Sequence, residues 1–415
     1  MLTISRDHPN LCADMRSSHF VMLALAASTA SAQEAPRTTL HVDVDPVKQE
    51  VIVTAGPFDL ANSPMMPGMS HGMMHMAETN MMRFEWPADG SLRGVDLTLR
   101  DANGNPLPIR ILHHLAMYNF DRRGLIHTSI ERLFAWGQDT QAILLPSGVG
   151  VPLPEGTHLG FLIGWHNDTG HDIHDAYLRM TLPYVPPKKV KVAVFPWYLD
   201  VHNVDGGNNS FDLPAGRSTQ RFNFQVPLAG RLIAVGGHMH DYAKSVRLVD
   251  SASGKVLIKL KSIARKDGTI TGTQRWIYGF HDDAVPIEAH HTYTLVSEYD
   301  NVTGKPIEEG GMSQLNGIFQ PDSVALWPKI DFNDPGTIAD LKSLPPDLGS
   351  EEADEHAHDH MHMDMPMPAK DTTATKPPRM SRASIFVVEF PVLGLAIGAR
   401  KAGAGERRVE SEDAP

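Results

Sequence analysis

The chain of 415 residues has room for about two to three domains, and its 41% hydrophobic and 21% charged residues are ordinary globular usage. This excludes a wholly disordered chain and a multi-span membrane protein. A formal net charge of -12 argues against a nucleic-acid partner, because phosphate contacts need a basic face. The 22 histidines and 20 methionines are clustered, whereas the only cysteine is Cys12. Imidazole and thioether ligands without thiols point to copper chemistry.

At the N-terminus Arg16 precedes an apolar run over residues 20–27 and the small residues Ser28-Thr29-Ala30-Ser31-Ala32. This pattern predicts a signal peptide over 1–32, cleaved after Ala32, and a periplasmic or secreted protein. Cleavage removes Cys12, so no disulfide is expected in the mature chain. No later run reaches 18 apolar residues, and residues 385–399 are interrupted by Glu389 and Pro391, so no membrane span is expected.

Strand-like alternation follows from Leu40, as in His41-Val42-Asp43-Val44, Val95-Asp96-Leu97-Thr98-Leu99 and Val246-Arg247-Leu248-Val249. Asp101-Ala102-Asn103-Gly104-Asn105-Pro106 and Asp250-Ser251-Ala252-Ser253-Gly254-Lys255 read as hairpin connections. Helical periodicity is scarce, so the predicted fold class is all-β, built from sandwiches. The Pro-rich stretch 183–189 is a candidate hinge between two lobes. The expected division is a first β-sandwich over 33–185, a second over 186–340, and a low-complexity, disordered tail over 341–415.

Four elements carry candidate chemistry. In Gly236-Gly237-His238-Met239-His240-Asp241-Tyr242, a strand continuing from Leu232-Ile233-Ala234-Val235 would place His238 and His240 on one face, as two metal ligands require. Met239 would then point into the core. A solvated histidine pair would read the same way. In Leu112-His113-His114-Leu115 the neighbouring imidazoles could share a metal only at a bulge or a strand end. His166 closes the apolar run Leu159-Gly160-Phe161-Leu162-Ile163-Gly164-Trp165, and Met312 follows a polar turn in Gly310-Gly311-Met312. Taken singly, His166 reads more simply as a rim residue and Met312 as packing.

In this order and spacing the four elements resemble the copper type II, ascorbate-dependent monooxygenases, the family of peptidylglycine α-hydroxylating monooxygenase and dopamine β-monooxygenase. The resemblance covers roughly residues 85–325. It implies two tandem jelly-roll-like β-sandwich domains, each holding one copper. His113, His114 and His166 would form an electron-transfer site. His238, His240 and Met312 would form the catalytic site, where dioxygen and a reductant such as ascorbate hydroxylate a C–H bond of a small substrate. The expected cofactors are therefore two coppers per chain. The peptide-amidating members carry a substrate-anchoring arginine two residues before the His-x-His pair. Here that position is Gly236, so peptidylglycine is not the expected substrate, and the sequence selects no other. Asp241 and Tyr242 are candidate outer partners of the imidazoles. His171, His174, His281, His290 and His291 receive no role.

Two segments are metal-flavoured by composition alone. One holds Met69, His71, Met73, Met74, His75 and Met76; the other holds His356, His358, His360, Met361, His362 and Met363. They support a rival function, an extracytoplasmic copper-binding or sequestration protein that exchanges metal with a donor or acceptor protein. A β-sandwich binding module with incidental histidines is the third reading.

Overall fold

The computed structural model describes residues 38–63, 77–137, 143–202, 210–280 and 283–350. The signal peptide, the two Met/His-rich segments and the apolar stretch 385–399 lie outside the described residues. All described residues fall in one compact unit. It is all-β, with a single α-helix among the described residues, Pro335–Ser343.

The first half builds two sheets around one core. Strands Glu50–Leu60, Gly94–Arg100 and Ile173–Val185 belong to one sheet; Leu112–Arg123, Ile130–Gly137 and His158–Trp165 belong to the other. The period of two sends Val51, Val53, Leu178 and Met180 inward from the first sheet, into one apolar cluster with Leu115, Met117, Phe161 and Ile163 from the second. Each such side chain contributes about 1.5–3 kcal/mol by leaving water. The second half repeats the arrangement. Leu232, Val235, Leu315 and Phe319, on strands Gly230–Met239 and Ser313–Pro321, pack with Val246, Leu248, Leu295 and Tyr299, on Ala243–Asp250 and Thr292–Asn301.

The proposed hairpin connections close through their aspartates. Asp101 Oδ1 accepts the backbone N–H groups of Asn103 and Asn105, and Asp250 Oδ1 those of Ala252 and Ser253. The stretch 183–189 carries regular backbone structure. Strand Ile173–Val185 runs through Pro183, Pro187–Lys189 make one 3₁₀ turn, and the N–H groups of Lys191 and Val192 then donate to Gly148 O. The chain leaves the first set of sheets between Ala193 and Phe195.

Residues 341–350, read from composition as the start of the tail, are ordered and return to the first core. Asp334 caps the helix Pro335–Ser343 by accepting from the Gly336 and Thr337 N–H groups, with Pro335 in the first turn. The helix brings the fully buried Asp340 carboxylate to Arg132, whose Nη1–H donates to it at 2.7 Å, while the Ile130 N–H donates at 3.0 Å. Beyond the helix, Met81 N–H donates to Pro346 O, and Leu348 N–H donates to Met81 O.

Candidate metal centre

Strands Gly230–Met239 and Ser313–Pro321 pair antiparallel with His238 opposite Gln314 and Met239 opposite Ser313. The His240 N–H donates to Met312 O at 3.0 Å, which carries the register one step further and sets His240 opposite Met312. Alternation then puts His238, His240, Met312 and Gln314 on one face and Met239 and Ser313 on the other. Met239 is accordingly a core residue, 3% exposed. The two imidazole rings stand 5.4 Å apart between centroids, at 84° to each other.

Two buried groups fix Met312. The Tyr299 hydroxyl donates to Met312 O and accepts the Met312 N–H at 3.1 Å. Burial pushes the Tyr299 phenol up to about 12, so it remains a donor at physiological pH. On the side chain, Gln314 Nε2–H donates toward Met312 Sδ at 3.8 Å and to the buried Asp200 Oδ2 at 2.9 Å. Gly236, opposite Asn316, would carry a Cβ 3.6 Å from Arg275 Cγ; an arginine thus passes over this position from the link between strands Ile270–Thr273 and Trp276–Ile277 rather than standing in it.

The first-lobe pair sits at a bulge. Gly164 lies opposite His114 and Trp165 opposite Leu112, so His113 is the extra residue between them. This removes the strict alternation that would send the two rings to opposite faces. Their Nδ1 atoms stand 3.2 Å apart. His114 Nε2 lies 3.0 Å from Glu78 Oε1, and a carboxylate can only accept, so Nε2 carries a proton and the ring turns its Nδ1 toward His113. The hydrogen bond and charge of His114 hold the Glu78 carboxyl below its ordinary range despite partial burial. Gly164 admits the ring: a Cβ there would lie 2.7–3.0 Å from three His114 ring atoms.

His166 N–H donates to Ile111 O, placing this residue just beyond the end of strand His158–Trp165, near the level of the pair. Its Nε2 is buried without a hydrogen-bond partner among the described residues, and the residue is 6% exposed. Among the described residues no three His, Cys, Asp or Glu side chains are gathered closely enough to hold a metal ion. His166 is therefore not assembled with His113 and His114 into a three-imidazole cluster.

Asp241 Oδ1 accepts the Ile270 N–H at 2.8 Å. Tyr242 occupies a left-handed turn at φ 68°. His174 pairs with Asp59 and His291 with Asp250, each at 3.1 Å. Composition and motif spacing missed Glu78, Gly164, Tyr299, Asp200 and Gln314. Gln314, two residues after Met312 on a strand, carried a readable signal; the others depend on pairing between distant segments.

No family model matches the chain, and no curated protein matches it. Among solved structures, it is similar to the major capsid protein P2 from Bacteriophage PM2 at 10% identity, covering 64% of this chain and 98% of that one, with a TM-score of 0.31. PNGase F, a glycosylasparaginase from Flavobacterium meningosepticum, is similar at 11% identity, with 69% and 97% coverage and a TM-score of 0.33. The structure of Sulfolobus Turreted Icosahedral Virus is similar at 7% identity, with 71% and 94% coverage and a TM-score of 0.33. Scores this low carry no argument about activity. The resemblance to the copper type II monooxygenases is overturned: no family model matches the chain, and among the described residues the three-histidine cluster that it implies is not assembled.

Proposed function

We propose that this chain is an extracytoplasmic copper-binding protein with two imidazole sites, one in each of two jelly-roll-like sandwiches. The observation that carries the reading is the face shared by His238, His240 and Met312, with the methionine held through its backbone by Tyr299 and through its sulfur by Gln314. Two imidazoles with a thioether favour Cu(I), and imidazoles alone accept either oxidation state. The fit in the first lobe rests on the His113–His114 contact alone, two imidazoles whose Nδ1 atoms stand 3.2 Å apart. The Met/His-rich segments around Met69–Met76 and His356–Met363 would add binding capacity, and a donor or acceptor protein would exchange the metal.

One observation favours a second reading, oxygenation of a small substrate with dioxygen and a reductant such as ascorbate. His238 is exposed, which leaves the outer side of the His/Met face open to small molecules. The two readings part on whether dioxygen uptake with ascorbate requires an added C–H substrate.

The test is chelator competition on the Cu(I)-loaded full chain. His238→Ala/His240→Ala should lose one tightly held copper relative to the unaltered chain, and Met312→Ile should weaken Cu(I) about tenfold or more. Unchanged copper content in the double variant would refute the reading.

A further inference from the structure

The second-lobe sheet made of strands Gly216–Gln225, Thr292–Asn301, Ala243–Asp250, Val256–Ala264 and Ile270–Thr273 has an outer face that departs from the charge of the rest of the chain. Between residues 255 and 275 stand six bases, Lys255, Lys259, Lys261, Arg265, Lys266 and Arg275, and one acid, Asp267, in a chain of net charge -12. Tertiary pairing extends this run. Arg221 lies opposite Val296, Val296 opposite Arg247, and Arg247 opposite Lys259, so three bases form one row across four strands. In the next row Lys261 lies opposite Ser245, which lies opposite Glu298; this acid is engaged by Arg247 at 2.8 Å and by Ser245 at 2.9 Å.

Large apolar side chains flank the same bases. Val256, Ile263, Trp276 and Ile277 are 45%, 54%, 46% and 87% exposed. Trp276 Nε1–H donates to Lys259 O, which places the indole beside the basic row. Val256 and Ile263 stand on strand Val256–Ala264, whose buried side reads Ile258 and Leu260, while Trp276 and Ile277 form a short edge strand of the neighbouring sheet, paired with Gly230–Met239; none of the four belongs to the core clusters.

We propose that this face docks on an anionic phospholipid bilayer. Lysine and arginine supply attraction to the headgroup phosphates, while indole and isoleucine enter the interfacial layer, where an aromatic ring with one polar edge is favoured. The chain's overall negative charge does not prevent this, because screening over about 10 Å at ordinary salt leaves the local patch to dominate the field at the surface. A soluble polyanion would engage the bases and leave Trp276 and Ile277 in water. The apolar rim is what selects a lipid surface.

The test is flotation of the full chain with vesicles of phosphatidylcholine alone and with vesicles that also contain phosphatidylglycerol. Binding to the anionic vesicles should be at least about tenfold tighter and fall as salt rises. It should weaken about tenfold in Lys259→Glu/Lys261→Glu and again in Trp276→Ser/Ile277→Ser, with unfolding midpoints unchanged. Should a variant fail to fold, the salt dependence and a blue shift of tryptophan emission in the unaltered chain decide the matter. Absent binding, equal binding to both vesicles, or binding indifferent to Trp276 and Ile277 would overturn the proposal; the last would indicate a polyanion site.

Discussion

Tyr299 holds Met312 through both peptide groups that flank it, the phenol hydroxyl donating to the methionine carbonyl and accepting its N–H at 3.1 Å. One buried hydroxyl thus fixes the turn residue whose thioether faces His238 and His240. Ser313 Oγ lies 2.9 Å from the same hydroxyl, so the pin belongs to a buried polar cluster rather than to a single bond.

Tyr299 makes stability pH-dependent at the alkaline end. Its folded value of about 12 exceeds the ordinary 10.0, so the unfolded chain loses this proton first. The contribution is complete below pH 10 and is lost as pH rises from about 10 to about 12, and the stake is about 3 kcal/mol. Urea unfolding across this range should show the decline in the unaltered chain and a smaller one in Tyr299→Phe. That variant should also cost about 1–3 kcal/mol at neutral pH by stranding the Met312 N–H, since the carbonyl keeps the His240 N–H. Equal pH profiles in both chains would show that Tyr299 does not supply the effect.

Gly164→Ala should disable the first-lobe pair selectively. The added Cβ would lie within 3.0 Å of the His114 ring, forcing it out of the notch beside His113. The expected stability loss is about 1–3 kcal/mol. Copper titration should show one fewer site with the His238/His240/Met312 site intact, whereas an unchanged stoichiometry would mean that the His113–His114 geometry does not matter for binding.

Glu78→Gln tests the orientation of His114. The carboxylate keeps the proton on Nε2 and leaves Nδ1 as the ligand, so its loss should weaken first-site copper about 10–100-fold. Its carboxyl lies below the ordinary value because of His114, so its small contribution to stability is present above that value and is lost as pH falls through the lowered one. Because a metal takes only neutral imidazoles, copper affinity at this site should rise with pH. A pH-independent affinity over pH 5–8 would sink imidazole ligation at this site.

Asp340→Ala should destabilise the chain by about 3–5 kcal/mol, because Arg132 and the Ile130 N–H would keep their buried positions without an acceptor. Replacing both charges, as Arg132→Met/Asp340→Leu, should recover much of that loss. Urea midpoints of the two variants measure the difference. The burial of Arg132 opposes its charge, but the Asp340 hydrogen bond and charge outweigh this and raise its value further.

Legibility in the sequence followed the range of the interaction. Alternation at Val246–Val249 and at Leu232–Val235 was visible because a strand's period is local, and it correctly carried His238 and His240 to one face and Met239 to the core. The helix Pro335–Ser343 escaped notice because its nine residues show only a weak apolar stripe, and Asp340 faces Arg132 rather than a hydrophobic core. The order of four short motifs suggested a family that no family model supports, since single histidines and methionines are common and their spacing is a weak signature.

The sequence by itself determined the all-β class and the face on which His238 and His240 meet, since both follow from a two-residue period within one segment. The tertiary structure decided what local pattern could not encode. The bulge that turns His113 toward His114, the Gly164 notch, the Glu78 carboxylate and the Tyr299 pin on Met312 each join segments far apart in the chain. Their positions depend on which strands pair and in what register, and register is settled by burying a whole sheet face at once.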